Sequence, residues 1–116
     1  IVDDSMFVMK QLQQILVSES YDVIAKAENG EEAVELYKKN KDNIDLVTMD
    51  ITMPKMDGIE ALRQIVSFDK NARIIMISAI GKQDLVKEAL LLGAKNYIVK
   101  PLNREKVLER IKSVLS

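Results

Sequence analysis

The run Ile74-Ile75-Met76-Ile77, entered from Arg73 and left at Ser78, constrains the fold more than any other stretch of this chain. A strand with one wet face alternates apolar and polar residues, and this one does not. Both of its faces must be covered, which is the position of an interior strand in a parallel sheet with helices on each side. Four other stretches read as strands around it. They are the tail Ile1-Val2, the alternating residues 21–27, the apolar residues 44–49 and the short run 96–99. Helical spacing fills the gaps between them. Ser5 can cap a helix with Met9, Leu12, Ile15 and Leu16 on one side. Asn29 with Glu32 reads as a capping box, followed by a stripe of Ala33, Val34 and Tyr37, with Lys38, Lys39 and Lys41 suiting the C-terminal end. Asp57 and Glu60 repeat the box ahead of Ile59, Leu62, Ile65 and Val66. A fourth helix over 83–92 stops at Gly93, and Asn103 caps a last one carrying Val107, Ile111 and Val114.

Strand and helix thus alternate five times with short connections and no repeat or linker. Right-handed crossovers turn that pattern into an α/β, doubly wound, five-stranded parallel sheet with helices on both faces. The 116 residues are expected to form a single domain. Two residues are short for a strand, so the first strand is expected to begin before Ile1.

Composition narrows the chemistry. Basic and acidic residues, 17 against 18, nearly cancel, so no bulk field recruits nucleic acid or an anionic membrane. No stretch is apolar for long enough to span a bilayer, and no signal peptide is expected, which makes the cytoplasm the expected compartment. Without cysteine there are no disulfides or thiolate sites. The absence of histidine removes the commonest general base and the commonest zinc ligand. Carboxylates, hydroxyls, lysine and a bound metal are what remain.

Those groups sit where strands end. The first strand ends on Asp3-Asp4, the third on Asp50, the fourth on Ser78 and the fifth on Lys100. In a parallel sheet these ends share one edge, the edge where open α/β folds bind ligands. Three carboxylates together repel one another unless a cation joins them. An all-oxygen set with room for water favours Mg²⁺. A lysine and a hydroxyl beside the metal would complete a cradle for a phosphoryl group. Taken singly, each residue has a plainer reading: a capping Asp, a core-edge Ser, a surface Lys.

The motifs Ile1-Val2-Asp3-Asp4-Ser5, Met49-Asp50-Ile51-Thr52-Met53-Pro54-Lys55-Met56-Asp57-Gly58, Ile77-Ser78-Ala79 and Val99-Lys100-Pro101 occur in that order and anchor a match over essentially the whole chain. In them the chain resembles the receiver domains of two-component response regulators, particularly the free-standing chemotaxis members. The resemblance implies a flavodoxin-like sheet of order 2-1-3-4-5. It implies that Asp50 accepts a phosphoryl group from a histidine kinase, and that Asp3, Asp4, Asp50 and the Thr52 carbonyl hold Mg²⁺. Ser78 would hydrogen-bond the phosphoryl group, Lys100 would pair with it, and Tyr97 would be the switch aromatic. Thr52 and Ile80 would tune dephosphorylation, the apolar Ile80 implying slow hydrolysis. The Lys100-Pro101 bond would be cis. The protein would be a monomeric signalling protein and not an enzyme in its own right, although it promotes its own phosphorylation and slow dephosphorylation. Its output surface would be helix four, strand five and helix five, with the flagellar motor switch one candidate target. Leu90, Leu91, Leu92, Leu108 and Leu115 give that region more apolar side chains than one buried stripe needs.

Three rivals compete with this reading. A haloacid-dehalogenase-type phosphatase also uses a strand-end aspartate, but it needs a second Asp two residues on, where this chain has Thr52. A flavodoxin-type FMN binder would need a hydroxyl-rich phosphate loop after the first strand. A receiver-like scaffold that is never phosphorylated would be expected to lack one of Asp3, Asp4, Asp50, Ser78 and Lys100, and all five are present. Phosphate-monoester hydrolysis, FMN absorbance and acyl-phosphate formation on Asp50 separate them.

Overall fold

The computed structural model describes residues 1–116. Its sheet consists of β1 (Val47–Asp50), β2 (Ile74–Ser78) and β3 (Asn96–Val99), all parallel in the order β1-β2-β3. The register pairs Asp50 with Ile77 and Ser78 with Val99, so the C-terminal residues of all three strands finish level at one edge. Five helices surround it: α1 (Met6–Ser18), α2 (Gly30–Asn40), α3 (Gly58–Phe68), α4 (Gln83–Leu92) and α5 (Arg104–Leu115).

β2 shows why both faces are covered. Its alternate residues Ile74 and Met76 join a core with Leu62 and Ile65 of α3, Tyr37 of α2 and Ala89 of α4. Ile75 and Ile77 join a second core with Leu12 of α1 and with Val107 and Ile111 of α5. Helices α2, α3 and α4 therefore lie on one face and α1 and α5 on the other, which is the flavodoxin-like arrangement.

The helix starts lie where local chemistry puts them. Ser5 Oγ accepts from Val8 N–H, Asp57 Oδ1 from Glu60 N–H and Asn103 Oδ1 from Lys106 N–H. The Asn29 box is complete, since Asn29 Oδ1 accepts from Glu32 N–H while Glu32 Oε1 accepts from Glu28 N–H. Gly93 ends α4 at φ 122°, a left-handed angle that glycine adopts without penalty.

The first and second expected strands are represented by single parallel bridges from Val2 to Ala27 and from Val2 to Met49, beside the three-stranded ladder. The lateral order, residue 27, residue 2, β1, β2, β3, is still that of the expected five. Burial alternates along residues 21–27, with Tyr21, Val23 and Ala25 half-buried and Asp22, Ile24 and Lys26 exposed. Between this segment and β1 lies a cavity of about 540 Å³, lined in part by Ile1, Val23, Ala25 and Leu46. Thr48 Oγ1, on its wall, is buried without a hydrogen-bond partner. The third strand also begins three residues later than the pattern suggested, at Val47, and includes Asp50. No helix is long and apolar enough to cross a membrane.

Candidate functional site

The backbone sets Asp3 beside Asp50. Val2 N–H donates to Thr48 O at 2.8 Å and Asp50 N–H donates to Val2 O at 2.9 Å, while Asp3 N–H donates to Ala27 O at 3.0 Å. The two carboxylates thus leave neighbouring strand positions at the same edge, and Asp4 follows directly. One oxygen from each of Asp3, Asp4 and Asp50 can be chosen so that all lie within 4.8 Å of one another. Asp3 and Asp50 are buried and Asp4 is exposed, so the group opens to solvent on one side.

Lys100 completes the cluster from β3's C-terminal end. Its Nζ lies 3.4 Å from Asp50 Oδ1 and 3.6 Å from Asp3 Oδ2. Its backbone N–H donates to Ser78 O at 2.8 Å, which ties the β3 exit to the β2 exit. The Lys100-Pro101 peptide is cis. Ser78 is buried at the end of β2, one position beyond the residue paired with Asp50.

Charge is not balanced here. Three acids face one lysine, and desolvation raises the Asp50 carboxyl from its usual 3.8 to about 6. The nearby Asp3 charge pushes the same way, Lys100 opposes it, and Asp4 adds a smaller upward push. Asp3 Oδ1 accepts from Ser5 N–H at 2.8 Å, but Asp3 Oδ2 is buried with no hydrogen-bond partner. That oxygen accepts no hydrogen bond and meets only the Lys100 ammonium at 3.6 Å, so it keeps lone pairs that a further cation could meet. The donors are all hard oxygens, so the residues fit a hard divalent ion.

The loop after Asp50 is held close. Ile51 N–H donates to Ile77 O at 3.1 Å, and Ile51 O accepts from Gly58 N–H at 2.7 Å. A Cβ on Gly58 would fall 2.1 Å from Asp50 O, so α3 can start against the strand end only with glycine there. The requirement for bare backbone at Gly58 comes from this close approach and is not visible in the Asp57–Glu60 box.

The remaining candidates are spread along one side. Thr52 and Ile80 are exposed, Ile80 at 74%, beyond the β1 and β2 ends. Tyr97 is half-buried on β3, with the Arg110 guanidinium 5.4 Å from its ring centroid. Of the five leucines expected on an output face, Leu90 and Leu91 of α4 are exposed, Leu91 at 81%. Leu108 instead packs in the α1–α5 core and Leu115 lies partly buried against it, because the α5 stripe is wider than its spacing suggested. Val99, the last residue of β3, is exposed as well.

Comparison with known proteins decides the family. The pattern described as response regulator receiver domain matches residues 1–112. The chain is a response regulator receiver. It is 67% identical to the chemotaxis protein CheY of Treponema pallidum over 99% of this chain and 80% of that protein. To CheY of Bacillus subtilis it is 52% identical over 100% of this chain and 95% of that one. The solved CheX-CheY-BeF3-Mg²⁺ complex from Borrelia burgdorferi contains a chain that superposes with a TM-score of 0.95 at 61% identity, covering 99% of this receiver and 86% of that chain. The receiver is thus CheY-like along its whole described length.

Proposed function

We propose that this receiver takes a phosphoryl group from a histidine kinase onto Asp50 and so switches a protein-binding face in a chemotaxis pathway. The single observation that carries the reading is the Asp3–Asp50–Lys100 cluster, in which the buried Asp3 Oδ2 accepts no hydrogen bond and the Asp50 carboxyl is raised. Asp3, Asp4, Asp50 and the Thr52 carbonyl would hold Mg²⁺, which supplies positive charge for the phosphoryl oxygens when bound. A carboxylate oxygen of Asp50 attacks phosphorus in line. The new O–P bond forms as the P–N bond to the donor imidazole breaks, and the imidazole leaves with that electron pair and takes a proton from water. The Lys100 ammonium, already 3.4 Å from Asp50, meets the charge that spreads over the phosphoryl oxygens.

Ser78 then has new acceptor oxygens within its edge of the sheet. Its hydroxyl donates to one of them and draws the β2–α4 loop inward, and Tyr97 turns to follow. Exposed Leu90 and Leu91 of α4 and Val99 of β3 support a partner surface made of α4, β3 and α5. The near-zero net charge and the CheY relatives support a free, cytoplasmic signalling domain that binds protein and not nucleic acid.

The deciding experiment incubates the protein with Mg²⁺ and a small phosphoramidate donor, then reduces it with borohydride, which converts an aspartyl phosphate to homoserine. The expected mass change falls on Asp50 alone. Modification at another residue, or none, would sink the reading. Hydrolysis of a phosphate monoester would favour the phosphatase rival instead.

A further inference from the structure

We propose that Gly30, on α2 and well ahead of the acceptor in sequence, is a positioning residue for the loop that carries the Thr52 carbonyl. Gly30 N–H donates to Met56 O at 2.8 Å. A Cβ at Gly30 would lie 2.4 Å from that oxygen and 2.9 Å from Asp57 O, closer than real side chains approach backbone. Gly30 is not among the positive-φ residues, so its backbone angles would accept alanine. Alanine is also the better helix former at this position in α2. The local preference is overridden by space alone, and the space belongs to the 51–57 loop.

That loop has few other supports. Ile51 is tied to β2 and to Gly58, Met56 N–H turns back to Pro54 O at 2.7 Å, and Lys55 sits at φ 65°. Met53 is buried in the α2–α3–α4 core. Thr52 makes no hydrogen bond of its own. Its carbonyl is therefore placed by the two ends of the loop, one anchored at Ile51 and the other at Met56. The Met56 anchor is the Gly30 amide. Asn29, itself buried, fixes that amide by capping α2 through Glu32 N–H at 3.0 Å. Residues 29–30, which enter from the far side of Val2, thus hold the last part of the candidate metal set.

This inference rests on the reading of Asp3, Asp4, Asp50 and Thr52 as a Mg²⁺ site. The test titrates Mg²⁺ into parent, Gly30→Ala and Gly93→Ala proteins, following backbone amide resonances. Gly30→Ala should shift the metal-free resonances of residues 51–56 and weaken Mg²⁺ binding roughly tenfold, the lower end for changes behind a metal's ligands. Gly93→Ala, strained at its left-handed φ but at the far end of α4, should lose stability and keep the parent's affinity. Parent-like affinity in Gly30→Ala, or an equal loss in Gly93→Ala, overturns the proposal and leaves the metal reading standing. A parent that binds no Mg²⁺ overturns both. If Gly30→Ala does not fold, hydrogen exchange of the Gly30 amide in the parent decides. Mg²⁺ should slow it by up to roughly tenfold, because coupling between the two is reciprocal, and unchanged protection overturns the proposal.

Discussion

Asp50 and Asp69 are both aspartates at element ends, yet they behave in opposite ways. Asp50 ends β1 at the C-terminal edge of the sheet, where burial and the neighbouring Asp3 raise its carboxyl to about 6. Asp69 caps α3 at the opposite edge, just before β2. There the Tyr37 hydroxyl donates to Asp69 Oδ2 at 2.7 Å and Asn71 N–H donates to Oδ1 at 3.0 Å, and both hold the carboxyl below its ordinary range. One carboxylate is supplied with donors and is content; the other is crowded by acids and short of them. A group left uncompensated by its own protein is one that a ligand can compensate, and this is how the two edges divide into site and scaffold.

The sharpest way to break that comparison is to remove one charged group from each edge. Lys100→Ala should slow phosphate incorporation at Asp50 roughly 100-fold, the usual scale for losing one donor aimed at developing charge. Asp69→Asn should leave the rate unchanged. Equal losses in the two variants, measured with the same small donor, would erase the distinction between the edges.

Acidity separates them next. An acid whose folded pKa is raised holds its proton in the folded state through a range where the unfolded chain has lost it. Stability therefore falls as pH rises from about 4 to 6 at Asp50, and the penalty is fully present above that. In metal-free buffer Asp50→Asn should be more stable than the parent at pH 7 by on the order of 2 kcal/mol. The gap should close below pH 4 and shrink when Mg²⁺ is added. Asp69 has the reverse sign: its lowered pKa adds stability above the ordinary carboxylate range, which is lost as pH falls through the folded value. Denaturant midpoints across pH would show both slopes, and a flat profile for the parent between pH 4 and 6 would contradict the first.

A smaller effect is expected at the exposed acid. Asp4→Ala should weaken Mg²⁺ roughly tenfold, because one of three carboxylates is gone while the buried pair remains. Undiminished affinity would remove Asp4 from the ligand set. Smallest is Tyr37→Phe, which loses the hydroxyl to Asp69 and should lower the melting temperature by roughly 4 °C. Phosphate incorporation should not change, and if it did, the far edge would be part of the site.

Much of this was legible because it is local. Caps at Ser5, Asn29, Asp57 and Asn103 depend on residues three apart, and the chain order of strands fixes which ends share an edge. The alternation of residues 21–27 was legible as well, and burial follows it residue by residue. Leu108 looked surplus because stripe width cannot be counted without knowing how α1 leans on α5. The Tyr37–Asp69 bond spans 32 residues and carries no motif. Nothing in the Asn29–Glu32 box marks Gly30, since the carbonyl that excludes its Cβ belongs to a distant loop.

The Arg110 guanidinium over the Tyr97 ring has a numerical consequence for signalling. Such a contact is worth about 0.5–1 kcal/mol at an accessible position. If the ring must leave it to switch, the contact multiplies the resting population over the switched one by roughly 2- to 5-fold. The bias belongs to α5 and needs no phosphate, metal or partner. Arg110→Ala would therefore raise the fraction already switched before any phosphoryl group arrives, so that the dose needed for a given response is written partly in a helix that never touches Asp50.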